Sequence, residues 1–265
     1  MKNPPNVETI HKDKHSKLRL KPNPDWVHAK GTHLAGITLN ELSATACNYP
    51  IVFVQNPGNQ VFHPVAMLGL RQGENAYYNA EGWDGTYVPL MIQRHPFMIG
   101  FDDAKPEDSK ELTACLNRTS PFLTDDPNEG IALFKEDGTE TDLLVTVHNL
   151  LRGIFDGERL TEQFTAKLTE LKVFAPFEFV MQMQSGETRK ITGMFTIDEQ
   201  KMRELKPEQL QELHKLDFLA PAYIIMGTLF QLNTLLKLRN KKNEEKVVDF
   251  RIEMNPQPAP AAANS

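Results

Sequence analysis

The hydrophobic period of this chain switches from helical to extended within a few residues of Val173, and that switch constrains the fold more than any other feature. Upstream, Leu143, Leu144, Val147, Leu150, Leu151, Ile154 and Phe155 recur at three-to-four spacing, an apolar stripe along one helix. Gly157 fits a C-terminal cap, and Leu160, Phe164, Leu168 and Leu171 repeat the stripe on a second helix. The two helices are expected to form an antiparallel pair. Downstream, Phe177, Phe179, Met181 and Met183 alternate with Glu178, Gln182 and Gln184, Val180 being the exception. After the turn Ser185-Gly186-Glu187, Ile191, Phe195 and Ile197 alternate again, which predicts a β-hairpin. A return to strand after helices favours one interleaved α+β domain over two separate ones.

The region from about Cys47 to Leu116 reads as β-rich and barrel-like. Ile51 to Val54 is a strand, Asn56-Pro57-Gly58-Asn59 a turn, and Val61 to Leu70 the returning strand. Ala76 to Tyr78, Phe97 to Phe101 and Leu112 to Leu116 are further strands, with a short helix over Leu90 to Arg94 opened by Pro89. Near the C-terminal end, Asp198 can cap a short helix and Pro207 can start another. Pro221 can start the longest, from about Ala222 to Lys241. The expected organisation is a flexible arm over residues 1–20, a single domain over 21–250 and a disordered Pro/Ala tail over 251–265.

Lys plus Arg is 29 and Asp plus Glu is 35, a net charge of −6, which argues against a nucleic-acid partner. The polar N-terminal stretch carries no secretory signal pattern. The most apolar window, Phe218 to Phe230, is shorter than the roughly 20 residues that span a bilayer, so a buried core helix and no membrane insertion are expected. Cys47 and Cys115 show no CxxC spacing and read as free buried thiols. A cytoplasmic location follows as an expectation.

No GxSxG, P-loop or GxGxxG motif occurs, and the eight histidines show no HxH or HExxH grouping. The loop from Asp125 fails as a calcium loop, because its third position is Pro127, which has no side-chain oxygen. No catalytic residue, metal or cofactor is therefore assigned. The stretch Gly82 to Pro89 combines aromatics with glycines, as a binding loop can. Trp83, Tyr87, Arg94 and His95 are the candidate ligand-binding residues, in a pocket between the β-rich and helical parts.

The order of these pieces resembles the SapC family of bacterial proteins. The likeness rests on Tyr49 to Phe53, Pro64 to Asn75, Gly85 to Pro89, Arg94 to Phe97, Ser120 to Leu123, Leu133-Phe134 with Asp137-Gly138, and Ile191 to Phe195 with Asp198. It runs from about Leu18 to Arg239. These motifs are structural in type: turns, apolar strands and caps. With no catalytic signature in the residues, a non-enzymatic binding or accessory protein is expected, and the resemblance implies a link to an outer-membrane uptake or surface-layer system. The alternative is an enzyme or small-ligand-binding protein using the pocket named above. The partner is a protein or a small ligand, and a homo-oligomer is allowed.

Overall fold

The computed structural model describes residues 6–22, 26–102, 105 and 111–254. In chain order the elements are β1 (Val7–Thr9), α1 (Lys12–His15), β2 (Arg19–Leu20), β3 (Leu34–Gly36), α2 (Leu42–Ala46), β4 (Ile51–Gln55) and β5 (Phe62–Met67). Next come β6 (Tyr78–Asn79), β7 (Gly82–Trp83), α3 (Leu90–Gln93), β8 (Phe97–Phe101), β9 (Leu112–Asn117), β10 (Leu123–Thr124) and β11 (Ile131–Ala132). The last are α4 (Asp142–Glu170), β12 (Phe174–Met183), β13 (Thr188–Ile197), α5 (Glu199–Arg203), α6 (Pro207–Lys215), α7 (Leu219–Gly227), α8 (Leu232–Lys242) and β14 (Val247–Met254).

The α+β class holds. The expected hairpin is β12–β13, and it anchors a six-stranded antiparallel sheet in the order β14-β12-β13-β4-β5-β3. Val180 breaks the alternation because it is buried along with its neighbours Phe179 and Met181, so both faces of β12 are covered at that point. The barrel-like reading is corrected: the large sheet is open, ending in β14 on one side and β3 on the other. Strands β8 and β9 belong to a separate three-stranded sheet with β1, and β2 joins β10 and β11 in a third.

The helical pair is also corrected. Residues 142–170 form one continuous helix of 29 residues. Gly157 is interior to it, and its role is close approach rather than capping. A Cβ there would lie 2.8 Å from both Cβ and Oγ1 of Thr38 and 3.0 Å from Nδ2 of Asn40. The missing side chain lets α4 seat against the 3-10 turn Leu39–Glu41.

That single rod serves two apolar clusters. Its first half gives Leu144, Val147 and Leu151 to a cluster with Leu18, Phe97, Leu116, Leu123, Leu133 and Phe134. Its second half gives Phe164 and Leu168 to the larger cluster built on the six-stranded sheet. The flexible-arm expectation fails for residues 6–20 for the same reason: Val7–Thr9 pairs with β9, and Leu18 is buried in the smaller cluster. The expected tail begins too early as well, since residues 251–254 complete β14, while residues 1–5 and 255–265 lie outside the described residues.

The expected long C-terminal helix is α7 and α8 joined by a 3-10 turn over Thr228–Gln231. Helical structure starts at Leu219, which puts Pro221 in the first turn where its missing N–H costs little. The combined stretch Leu219–Lys242 is 24 residues long, with a mean hydropathy of 1.4 in its most apolar window. By length and composition it could cross a membrane, so the expectation that no run is long enough is corrected. Here Ala222, Ile225, Leu232, Leu235 and Leu236 pack into the large core, whereas Tyr223, Ile224 and Phe230 face outward.

Candidate functional site

Trp83 and Tyr87 come together in one hydrogen-bond network. Trp83 Nε1 donates to the Tyr49 hydroxyl at 2.7 Å, and that hydroxyl donates to the Tyr87 carbonyl. The Tyr87 hydroxyl donates to Glu41 Oε2 at 3.0 Å, and the Leu90 N–H reaches the same oxygen at 2.9 Å. Glu41 Oε1 accepts from the Thr38 N–H at 3.1 Å. Burial is the largest influence on Glu41 and raises its carboxyl above the ordinary range, and these donors oppose it. Burial likewise pushes the Tyr49 and Tyr87 hydroxyls up. Gly85 is required here, since a Cβ would stand 2.7 Å from the Tyr49 hydroxyl. The network fastens the loop after β7 to Tyr49, just before β4, and to the Leu39–Glu41 turn.

Arg94 and His95 point to different surroundings. The His95 ring stacks on His28, with centroids 4.3 Å apart and planes 15° from parallel, and Phe122 meets both rings edge-on. His95 Nε2 lies 3.1 Å from Ser120 Oγ, and His28 Nε2 donates to the Ile92 carbonyl at 3.0 Å. Burial first, then His28, then Arg94 push the His95 imidazole down to about 4. Burial lowers His28 as well. Both rings are therefore neutral near pH 7.

Arg94 instead faces α4, where its charge acts on Glu158. That carboxylate opens a groove between α4 and the β3–β5 edge of the large sheet. One part, about 270 Å³, is lined by Gly36, Ile37, Phe62, His63, Pro64, Met91, Glu158, Thr161, Glu162 and Thr165. An adjoining part, about 600 Å³, shares Phe62, His63, Glu162 and Thr165 and adds Gln55, Asn59, Gln60, Ala166 and Thr169. Glu158, Glu162, Thr165 and Thr169 fall at spacings of four, three and four, so α4 presents them on one face. Burial raises the Glu158 carboxyl, Glu162 adds to the rise, and Arg94 and His63 oppose it. The groove thus combines hydroxyls, amides and two carboxylates over an apolar floor of Ile37, Phe62 and Met91.

A pocket between the β-rich and helical parts therefore exists. Of the four expected residues, Arg94 adjoins it through Glu158, while Trp83, Tyr87 and His95 are engaged elsewhere. Sequence reasoning missed His63, Glu158 and Glu162. The signal was the i, i+4 pair Glu158 and Glu162, which on a helix reads first as a solvated face. No group of three or more metal-ligating side chains occurs among the described residues. Cys115 is buried, but Cys47 is exposed, correcting that expectation. It sits at the end of α2 with Sγ 3.3 Å from the Ser43 carbonyl.

A family model for SapC matches residues 10–235. The chain belongs to the SapC family. No curated protein and no solved structure matches it. The SapC match ends within α8, so it takes in the smaller apolar cluster, most of the larger one, the Glu41 network and the α4 groove, and leaves out β14.

Proposed function

We propose that this SapC-family chain is a non-enzymatic binding protein that offers the α4 groove to its ligand. In this reading it works in the cytoplasm as an accessory to an outer-membrane uptake or surface-layer system. The observation that carries the proposal is the groove itself: a polar helix face with Glu158 and Glu162 set against the apolar edge of the sheet. Such a surface suits a ligand rich in hydroxyl or amine donors, because carboxylates, hydroxyls and amide carbonyls all accept. A second reading, enzymatic, is favoured by Glu158 beside Glu162, since burial raises the Glu158 carboxyl and paired carboxyl groups in a groove can support acid–base chemistry.

Thermal unfolding against a panel of oligosaccharides, polyamines and basic peptides tests the binding reading. A ligand at 100 times its Kd adds about 2.7 kcal/mol. Glu158→Gln and Glu162→Gln should each reduce the shift. A panel that leaves the wild-type midpoint unchanged argues against the groove as a binding site. Turnover of a bound ligand that stops in Glu158→Gln selects the enzymatic reading. Cell fractionation tests the location, and recovery outside the cytosol overturns that part.

A further inference from the structure

We infer that the outer side of the α7–α8 run is a peripheral membrane contact, and that its partner is a bilayer surface rich in anionic lipid. The first observation is exposure. The most apolar window of Leu219–Lys242 has a mean hydropathy of 1.4, yet only 33% of that window is buried inside the fold. A core helix that apolar is normally covered on all sides. Tyr223, Gly227, Phe230, Thr234, Lys237 and Lys241 are all exposed and follow one another at spacings of four and three, so one side of the run lies outside the fold. Phe230 stands in the 3-10 turn where the two helices meet, and its side chain is 81% exposed.

The charge on this side decides what covers it. No Asp or Glu occurs between Asp217 and Glu244, in a chain whose net charge is −6. The cations of α8 divide into two sets. Arg239 pairs with Glu74 at 3.4 Å and Lys242 with Asp84 at 3.3 Å, both within the fold. Lys237 and Lys241, one turn apart on the exposed side, enter no ion pair among the described residues. Exposed Tyr223, Ile224 and Phe230 followed by unpaired lysines match what a membrane interface takes. The apolar side chains enter the boundary between headgroups and acyl chains, and the lysines meet anionic headgroups. A second copy of the chain would cover the apolar part but leave both lysines without a counter-charge, because the exposed stripe holds no acid. The run lies on the bilayer rather than across it, since Ala222, Ile225, Leu232, Leu235 and Leu236 hold its other side in the large core.

Co-sedimentation of the full chain with vesicles tests this. Vesicles of phosphatidylcholine mixed with phosphatidylglycerol should carry the chain down, and vesicles of phosphatidylcholine alone should carry far less. High salt should return it to the supernatant, because the lysine contribution is screened. Phe230→Ser alters a side chain that packs on little in the free chain, so it should leave the unfolding temperature unchanged and weaken binding roughly tenfold. Lys237→Gln combined with Lys241→Gln should weaken it roughly thirtyfold at low salt. In Phe230→Trp, the emission of the added indole should move to shorter wavelength on the anionic vesicles alone. Absence of binding, equal binding to both vesicle types, or wild-type affinity in Phe230→Ser overturns the proposal. A wild-type chain that ignores vesicles but loses solution mass in Phe230→Ser also overturns it, and assigns the stripe to a second copy.

Discussion

At the scale of single residues, Arg94 and His95 show how neighbours in sequence divide between two tasks. Arg94 supplies a cation beside Glu158 at the groove. His95 enters an aromatic stack with His28 and Phe122 and stays neutral. The stack has a consequence for acid stability. The ordinary imidazole value is 6.5, and the folded His95 is pushed down to about 4, with His28 also lowered. A depressed value means that the unfolded chain takes up protons which the folded chain refuses. The stabilisation is therefore fully present above pH 6.5 and is lost as pH falls towards 4. Denaturant midpoints measured across that window should fall with pH, and His95→Phe, which keeps a ring in the stack, should flatten the fall. An unchanged slope in that variant would show that carboxylates elsewhere carry the effect.

At the scale of elements, α4 is the test of what a glycine does. Two glycines lie in its interior, Gly153 and Gly157, and they differ only in what surrounds them. A Cβ at Gly153 meets nothing within 4 Å, whereas one at Gly157 meets the stiff Thr38 side chain at 2.8 Å. Alanine is favoured over glycine in a helix by about 1 kcal/mol. Gly153→Ala should therefore stabilise by up to about 1 kcal/mol. Gly157→Ala should destabilise by roughly 1–3 kcal/mol, the usual cost of forcing extra atoms into a packed contact. Chemical denaturation of the two variants decides it, and equal effects would remove close approach as the explanation. The same helix shows what was readable beforehand. Its apolar stripe was plain in Leu144, Val147, Leu151, Phe164 and Leu168, but a glycine that permits contact looks the same in sequence as one that ends a helix. The β12–β13 hairpin, β4, β8 and the Asp198 cap were legible because local period and cap chemistry specify them; Asp198 does accept from two N–H groups of α5. Strands β1 and β14 were not. Val7–Thr9 is held by pairing with a strand about 110 residues away, and β14 interleaves Val248, Phe250 and Ile252 with Asp249, Arg251 and Glu253, so its charges masked its alternation. A pocket between the β-rich and helical parts was expected, but its lining by His63, Glu158 and Glu162 was not, because that needs α4 and β5 side by side.

At the scale of the whole molecule, the question is whether two apolar clusters make one cooperative unit. The smaller is closed by Leu18, Leu116, Leu133 and Leu144, and the larger by the six-stranded sheet and its helices. One connection between them is α4, which enters both. A helix of 29 residues is about 44 Å long, enough to cross most of a domain this size. Unfolding either cluster strips packing from half of a helix whose stability comes chiefly from that packing, so loss of one end weakens the other. A single domain over both clusters is thus the proposal that α4 favours, and hydrogen exchange can test it. Slow amides around Leu116 and those around Phe164 and Leu168 should open with the same free energy. Leu144→Ala, a truncation in the smaller cluster worth about 2–5 kcal/mol, should then lower protection in both places by a similar amount. Protection that falls near Leu116 and stays unchanged near Leu168 would instead divide the chain into two units that merely share a helix.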